Sequence, residues 1–408
     1  MMLDLKKDIV ERFIRYTKYD TMSDGNLAGV RRPTTPGQEV LLEKLKEELD
    51  ELGLETYYGE EKVVMGTLKG NAEGKTIGFM AHVDTADDVM GDGVKAKLWE
   101  KYDGSDIQLD GVTLAVKDNP DLLKYVGSDI ITSDGTTLLG SDDKAGIAII
   151  MEAIKYLVDH PEVKHPDVEV YFTPDEETGS GMCKFPHERL KSFCCYTIDG
   201  GDESEIECEC FNAATMKINL EGVSYHLGAA RGRLVNAVTM ASQIVSALPQ
   251  AESPEATDGR YGYYCPLELS GTGTKATLTI FIRDFDLDSF NYRIESVKSI
   301  VNAISLLYKG KITVDTQISY HNMAEANKNN PEATEAIFAS GKKLGLSFEE
   351  AIIRGGTDGA RLAETGVACP NLFTGGHNLH SLTEWVSVES MNHSANLVLG
   401  IIDFWTGR

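Results

Sequence analysis

The stretch TIGFMAHVDT, residues 76–85, is a short run of apolar and β-forming residues that ends on His82 and, two positions later, Asp84. Such a run suits a buried strand. A second stretch of the same design, VEVYFTPDEETG at residues 168–179, ends on Asp175, Glu176 and Glu177. A third strand is predicted at 193–198, with Asp199 next in TIDGG. Between the first two lies LGSDDKAGIAIIMEAIKYL, residues 139–157, and its apolar part from Lys144 reads as a buried helix. Strands alternating with helices imply an α/β domain with a mainly parallel sheet. In such sheets ligands bind at the carboxyl ends of the strands, where these acidic and histidine endings fall.

Working outward, Leu5, Ile9, Val10, Phe13 and Ile14 repeat at helical spacing. Thr35 and Gln38 have capping-box spacing around Pro36, and Leu41, Leu42, Leu45, Leu49 and Leu52 make one apolar face before Gly53. A strand is expected at 63–68. Near residue 208 the pattern changes. Strands at 214–220, 261–269, 276–285 and 311–320 and helices at 236–248 and 289–307 give the order β-α-β-β-α-β, a split βαβ arrangement. The α/β pattern then returns, with helices at 332–344, 358–362 and 388–404 and strands at 351–354 and 370–373. This predicts a discontinuous catalytic domain, 1–208 with 321–408, and an inserted α+β lid domain, 209–320. The free sheet face or edge of the insertion could pair with a second copy, so a homodimer is a possible assembly.

The composition narrows the function. Lys and Arg number 39 against 64 Asp and Glu, a net charge of −25, which opposes nucleic acid or anionic membrane as a partner. Hydrophobic content of 42% with 25% charged residues fits a folded globular chain. The most apolar stretch, 145–154, is interrupted by Glu152 and is far below the roughly 18 residues a spanning helix needs. Asp4, Lys6, Lys7 and Asp8 stand where a secretion signal would be apolar. Seven cysteines, an odd number with no CxxC pair, fit free thiols in the cytoplasm.

Five clusters carry candidate chemistry: His82-Val83-Asp84, Ser141-Asp142-Asp143-Lys144, Asp175-Glu176-Glu177, Asp199, and His380 in GGHNLHS. Singly, each has a plainer reading: a surface histidine, a helix cap, a solvated acidic turn, a turn aspartate, a loop histidine. Together they are two histidines and several carboxylates at the mouth of one sheet, without cysteine. That oxygen and nitrogen set suits a pair of divalent cations such as Zn²⁺, Mn²⁺ or Co²⁺. Two ions need a bridging carboxylate, terminal ligands on each, and a further carboxylate as base. His160, His165, His187 and His393 have no ligand partner near them in sequence and read as structural or solvated.

The ordered motifs HVDT, LGSDDKAG, FTPDEETG, IDGG, ECFNAAT, IRDFD, IRGGTDGA and CPNLFTGG resemble the M20 metallopeptidases, and within them the aminotripeptidase branch. The resemblance spans nearly the whole chain. It implies that His82 and Asp199 bind one zinc, that Glu177 and His380 bind the other, and that Asp142 bridges the two. It further implies a cis peptide between Asp142 and Asp143, Asp84 orienting His82, and Glu176 as general base on a water shared by the two ions. His226, in GVSYHLGAARG, would reach from the insertion to stabilise the oxyanion. The usual proline after that histidine is Leu227 here. Arg283 and Arg354 would bind a substrate carboxylate or carbonyl, or else pair with Asp284 or Asp358, and Asn236 would line the cleft. The implied activity is removal of the N-terminal residue from small peptides, tripeptides above all. Alternatives on the same scaffold are a dipeptidase, a carboxypeptidase or an N-acyl amino acid deacylase. A two-metal phosphodiesterase would want basic clusters, and an inactive scaffold would have lost Glu176 or a ligand.

Overall fold

A computed structural model describes residues 2–408. Its main sheet has eight strands, in the order Glu55–Tyr58, Val64–Leu68, Val168–Thr173, Ile77–His82, Cys194–Gly200, Asn371–Phe373, Glu205–Cys210 and Glu349–Ile353. The four central strands pair in parallel. Val64–Leu68 joins them antiparallel on one side and Glu205–Cys210 on the other. The sheet is therefore mixed: parallel where the functional strands lie and antiparallel towards its edges.

Alternation explains why the central strands are apolar throughout. Along Ile77–His82, Ile77, Phe79 and Ala81 enter a core with the helices Lys6–Tyr16, Pro36–Glu51, Ser141–Asp159 and Val388–Trp405. Met80 faces the other way, into a smaller core with Tyr171, Phe185, Cys195 and Leu362. With both faces covered, a polar residue inside a strand needs buried partners, as Glu169 has in Lys191 N and Ser192 Oγ. For Ile77–His82 the first polar groups, His82 and Asp84, fall at the carboxyl edge. Glu152, the residue that interrupts the apolar run of the central helix, is buried beside Arg12 at 3.1 Å.

The chain divides into two compact units. One comprises residues 1–208, 325–351 and 357–408; the other comprises 209–324 and 352–356. The second unit holds an antiparallel sheet ordered Tyr263–Gly271, Lys275–Asp284, Asn212–Glu221, Lys311–Tyr320, with helices Ala237–Ala247 and Leu287–Tyr308. Its register places Met216 opposite Ile280 and Ile218 opposite Leu278, so one face is continuous with the core under both helices. Thr215, Lys217, Asn219 and Glu221 point to the opposite face.

Three local features differ from, or add to, the sequence reading. Thr35 does not cap its helix through its side chain: its hydroxyl donates to the Met22 carbonyl, and the Gln38 amide donates to Asp175 at 2.9 Å. Segment 352–356, assigned from sequence to the main domain, groups with the second unit, while Ile352 and Ile353 also end the Glu349–Ile353 strand of the main sheet. Arg354 there donates to the carbonyls of Gly259, Tyr261 and Thr257 and lies over Phe211 and Tyr263. A small sheet of Lys97–Trp99, Ile130–Thr132, Trp385–Ser387 and Gly376–His377 has no counterpart in the sequence reading.

Candidate metal centre

His82 is the last residue of its strand and is buried, with 3% of its surface exposed. Its Nε2 lies 2.8 Å from Asp142 Oδ1 and 3.4 Å from Asp199 Oδ1. The other oxygen of Asp142 lies 3.3 Å from His380 Nε2, which is 3.1 Å from Glu177 Oε1. One carboxylate thus faces two imidazoles, each accompanied by a second carboxylate. Asp142 owes its position to the start of the helix Ser141–Asp159. There Gly140 is left-handed, at φ 78°, and Asp142 and Asp143 depart from helical geometry, with a cis peptide between them.

Asp84 binds this arrangement together. It is wholly buried, its Oδ1 and Oδ2 accept from the backbone N–H groups of Glu176 and Glu177 at 3.0 and 3.1 Å, and Oδ1 lies 3.3 Å from His82 Nδ1. It therefore faces the ring nitrogen opposite the Asp142 side and anchors the turn that carries two acidic groups. The Asp175-Glu176-Glu177 triplet is not one cluster. Asp175, left-handed at φ 63°, turns back to accept from Thr34 N, Thr34 Oγ1 and Gln38 Nε2, while Glu176 and Glu177 stay at the site. Arg32 secures the far end of that turn, donating to the Ser180 and Gly181 carbonyls at 2.6 and 2.7 Å.

The electrostatics are those of crowded buried anions. Asp84, Asp142, Asp143, Glu176, Glu177 and Asp199 share two imidazoles. Burial pushes Glu177 up to about 7 and Asp199 up to about 6. Burial and the Asp199, Asp358 and Glu177 carboxylates carry Glu176 well above the ordinary range, against the pull of His82. Burial would raise Asp142 too, but both histidines overrule it and hold it far below its ordinary value. Hydrogen bonds to Asp142 and Glu177 raise His380 to about 11. At neutral pH this anionic excess calls for protons or for cations.

The donor set fits cations. Ligand atoms of His82, Asp142 and Glu177 lie within 4.8 Å of one another, as do those of His82, Asp143 and Asp199. Asp143 is the weaker member, because its oxygens already accept from His82 N and Gly146 N. Glu177 Oε1 is buried with no hydrogen-bond donor aligned to it, although His380 Nε2 is close.

Four further sequence candidates belong to the second unit. His226 is exposed and precedes the short turn Leu227–Ala229. Asn236 caps the helix Ala237–Ala247, its Oδ1 accepting from Val238 N and Thr239 N. Arg283 donates to the Ala214 and Ile282 carbonyls and lies over the Phe281 and Tyr320 rings. Neither Arg283 nor Arg354 takes the ion pair suggested as its alternative: Asp284 pairs with Arg293 at 2.7 Å, and Asp358 accepts from Thr173 Oγ1. His393, read as structural or solvated, lies between Glu203 and Glu389 at 3.1 and 3.2 Å.

Two residues near the centre escaped the sequence reading. Asp88 Oδ2 is 3.3 Å from His380 Nδ1. Glu384 is buried against the turn before Asp142. Asp88 stands in an acidic loop with nothing to single it out, whereas Glu384 lies four residues after a candidate ligand, a proximity that could have marked it.

Comparison with known proteins bears on this geometry. The profile of peptidase family M20/M25/M40 matches residues 135–403. A Bacillus licheniformis protein named Peptidase T is 43% identical over 411 residues, covering 99% of this chain and 100% of its own. A Clostridium perfringens Peptidase T is 42% identical over 407 residues, covering 98% and 100%. Among solved structures, aminopeptidase PepT from Bacillus cereus has a TM-score of 0.77 over 98% of both chains at 22% identity. The Bacillus subtilis YXEP protein, described as a dinuclear metal-binding peptidase of the M20 family, has a TM-score of 0.66 at 14% identity, over 98% of this chain and 99% of its own. At those identities the two structures speak to the fold.

Proposed function

We propose that this chain, which belongs to peptidase family M20/M25/M40, is a metal-dependent aminopeptidase that releases the N-terminal residue of tripeptides. The observation that carries the reading is the division of Asp142 between His82 and His380, one oxygen to each. His82 and Asp199 would hold one cation and Glu177 and His380 a second, with Asp142 lying between the two sets. Zinc is the expected metal, with Mn²⁺ or Co²⁺ suited to the same ligands. Such cations, when bound, polarise the scissile carbonyl and acidify water.

The remaining work falls to this chain's own side chains. Glu176 accepts the proton of the attacking water on its carboxylate and passes it to the departing amine nitrogen. Its burial among other carboxylates strengthens it as a base. Asp84 holds His82 and the Glu176 backbone in one frame. His226, from the insertion, donates to the oxyanion. Arg283 receives the carboxylate of the peptide, while Arg354 shapes the loop around residue 259 and Asn236 holds its helix. The tripeptide preference is supported by the name shared by relatives above 40% identity. Seven free cysteines support a reducing cytoplasm as the place of action.

Metal analysis with turnover of di-, tri- and tetrapeptides tests the reading. Tripeptides should be cut fastest, and equal rates on all three would reject the length claim. Glu176→Gln should keep its metal and lose roughly 10²–10⁴-fold in kcat. An active variant would overturn the base assignment.

A further inference from the structure

Glu384 is 1% exposed, and its carboxylate is filled by donors from one short turn. Oε2 accepts from Leu139 N at 2.7 Å and Gly140 N at 3.0 Å. Oε1 accepts from Ser141 N at 2.6 Å, Ser141 Oγ at 2.5 Å and, more weakly, Asp142 N at 3.4 Å. Four consecutive backbone N–H groups wrapped round an oxyanion form a nest, and here it opens the helix Ser141–Asp159, whose N-terminal end also favours negative charge. The anion is supplied by the protein itself.

The residue's place in the chain gives the nest a purpose. Asp142 and His380 are 238 residues apart, and their side chains meet at 3.3 Å. Glu384 leaves the same tight loop that carries His380. In that loop Asn378 and His380 are left-handed, Ser381 Oγ donates to the Asn378 carbonyl, and Glu384 N donates to the Ser381 carbonyl. A displacement of the His380 loop is therefore carried through Glu384 to the peptide that orients Asp142.

We propose that Glu384 is a positioning residue that sets the register of Asp142 against His380 by clamping the backbone of Leu139 to Asp142. The inference rests on the metal-centre reading above. Only a carboxylate serves, because all of its partners donate. A glutamine would turn an NH₂ group towards donors on one side, and an aspartate falls one methylene short.

The test uses the full chain carrying Glu384→Gln, and three readouts: zinc affinity by competition with a chromophoric chelator, the visible spectrum of the Co²⁺-substituted protein, and kcat and KM on a tripeptide at saturating metal. Metal affinity should fall roughly 10–100-fold. The Co²⁺ spectrum should shift, and kcat should drop with KM little changed. A folded variant with parental affinity, spectrum and kcat would overturn the proposal. If Glu384→Gln does not fold, Ser141→Ala removes a single donor to Oε1, and the Co²⁺ spectrum and zinc affinity should still move, by a few-fold in affinity. An unchanged Ser141→Ala would overturn the proposal equally. A parent protein that takes up neither cation sinks the metal-centre reading itself, a separate result.

Discussion

Asp84→Asn exchanges one carboxylate oxygen for an amide NH₂ at a wholly buried position. The native oxygens accept from Glu176 N and Glu177 N, and Oδ1 also faces His82 Nδ1. Whichever way the amide turns, its NH₂ meets a backbone N–H. One hydrogen bond to a charged acceptor is lost, at about 1.5–3 kcal/mol, and a buried donor is left unpaired, at about 1–3 kcal/mol. With some relaxation, a loss near the lower end of that sum, about 3 kcal/mol, should appear in urea denaturation. The functional effect should exceed the stability effect. His82 Nδ1 keeps the Asp84 carbonyl at 3.1 Å, but loss of the anion removes a negative charge beside the ring and loosens the turn carrying Glu176 and Glu177, so zinc affinity should fall roughly 10–100-fold and kcat should fall even with metal in excess. The assays are a urea titration, a zinc competition titration, and tripeptide turnover at saturating metal. A variant within about 0.5 kcal/mol of the parent and unchanged in kcat would refute the claim that Asp84 couples the histidine to the acidic turn.

Gly78 sits where an added Cβ would meet Tyr171 Cε2 at 2.6 Å, Cys195 Sγ at 2.7 Å and Ser192 Oγ at 2.8 Å, so Gly78→Ala should cost about 1–3 kcal/mol by overpacking. A parental urea midpoint would show that this face of the sheet has slack. For the chelator-treated protein, thermal stability should decline between pH 5 and pH 8. Glu177 and Asp199 hold protons up to about pH 7 and 6 in the fold but release them near their ordinary values when unfolded, and His380, raised to about 11, continues the decline above its unfolded value. Zinc should remove the decline by replacing those protons; a metal-free melting temperature that stays level or rises over this range would count against the buried-anion account.

The strands that deliver His82, Glu177 and Asp199 were legible because burial on both faces writes a largely apolar run, interrupted in Val168–Thr173 by the buried Glu169, that ends near the carboxyl edge of the sheet. The insertion was legible for the opposite reason: one wet face leaves a period-two signature over ten residues in Asn212–Glu221 and Lys275–Asp284. Strands of two or three residues, such as Lys97–Trp99 and Gly376–His377, are too short to show any period. Spacing also misjudged residues whose partners are remote in sequence. Gln38 has the position of a local cap, and its amide does reach the Thr34 and Thr35 hydroxyls, but it also donates to Asp175, 137 residues away. Glu384 carries no motif of its own, and its role exists only once two distant turns are folded together.

That wiring has a temporal consequence. Hydrolytic power here belongs to no contiguous piece of polypeptide: the turn at Ser141 and the loop of His380 must first find one another across most of the molecule. Encounters between such remote partners are slow, because the closure entropy of the intervening chain comes before any reward. A nascent chain that has not yet supplied the His380 loop therefore lacks one half of the centre, however well its earlier strands and helices are formed.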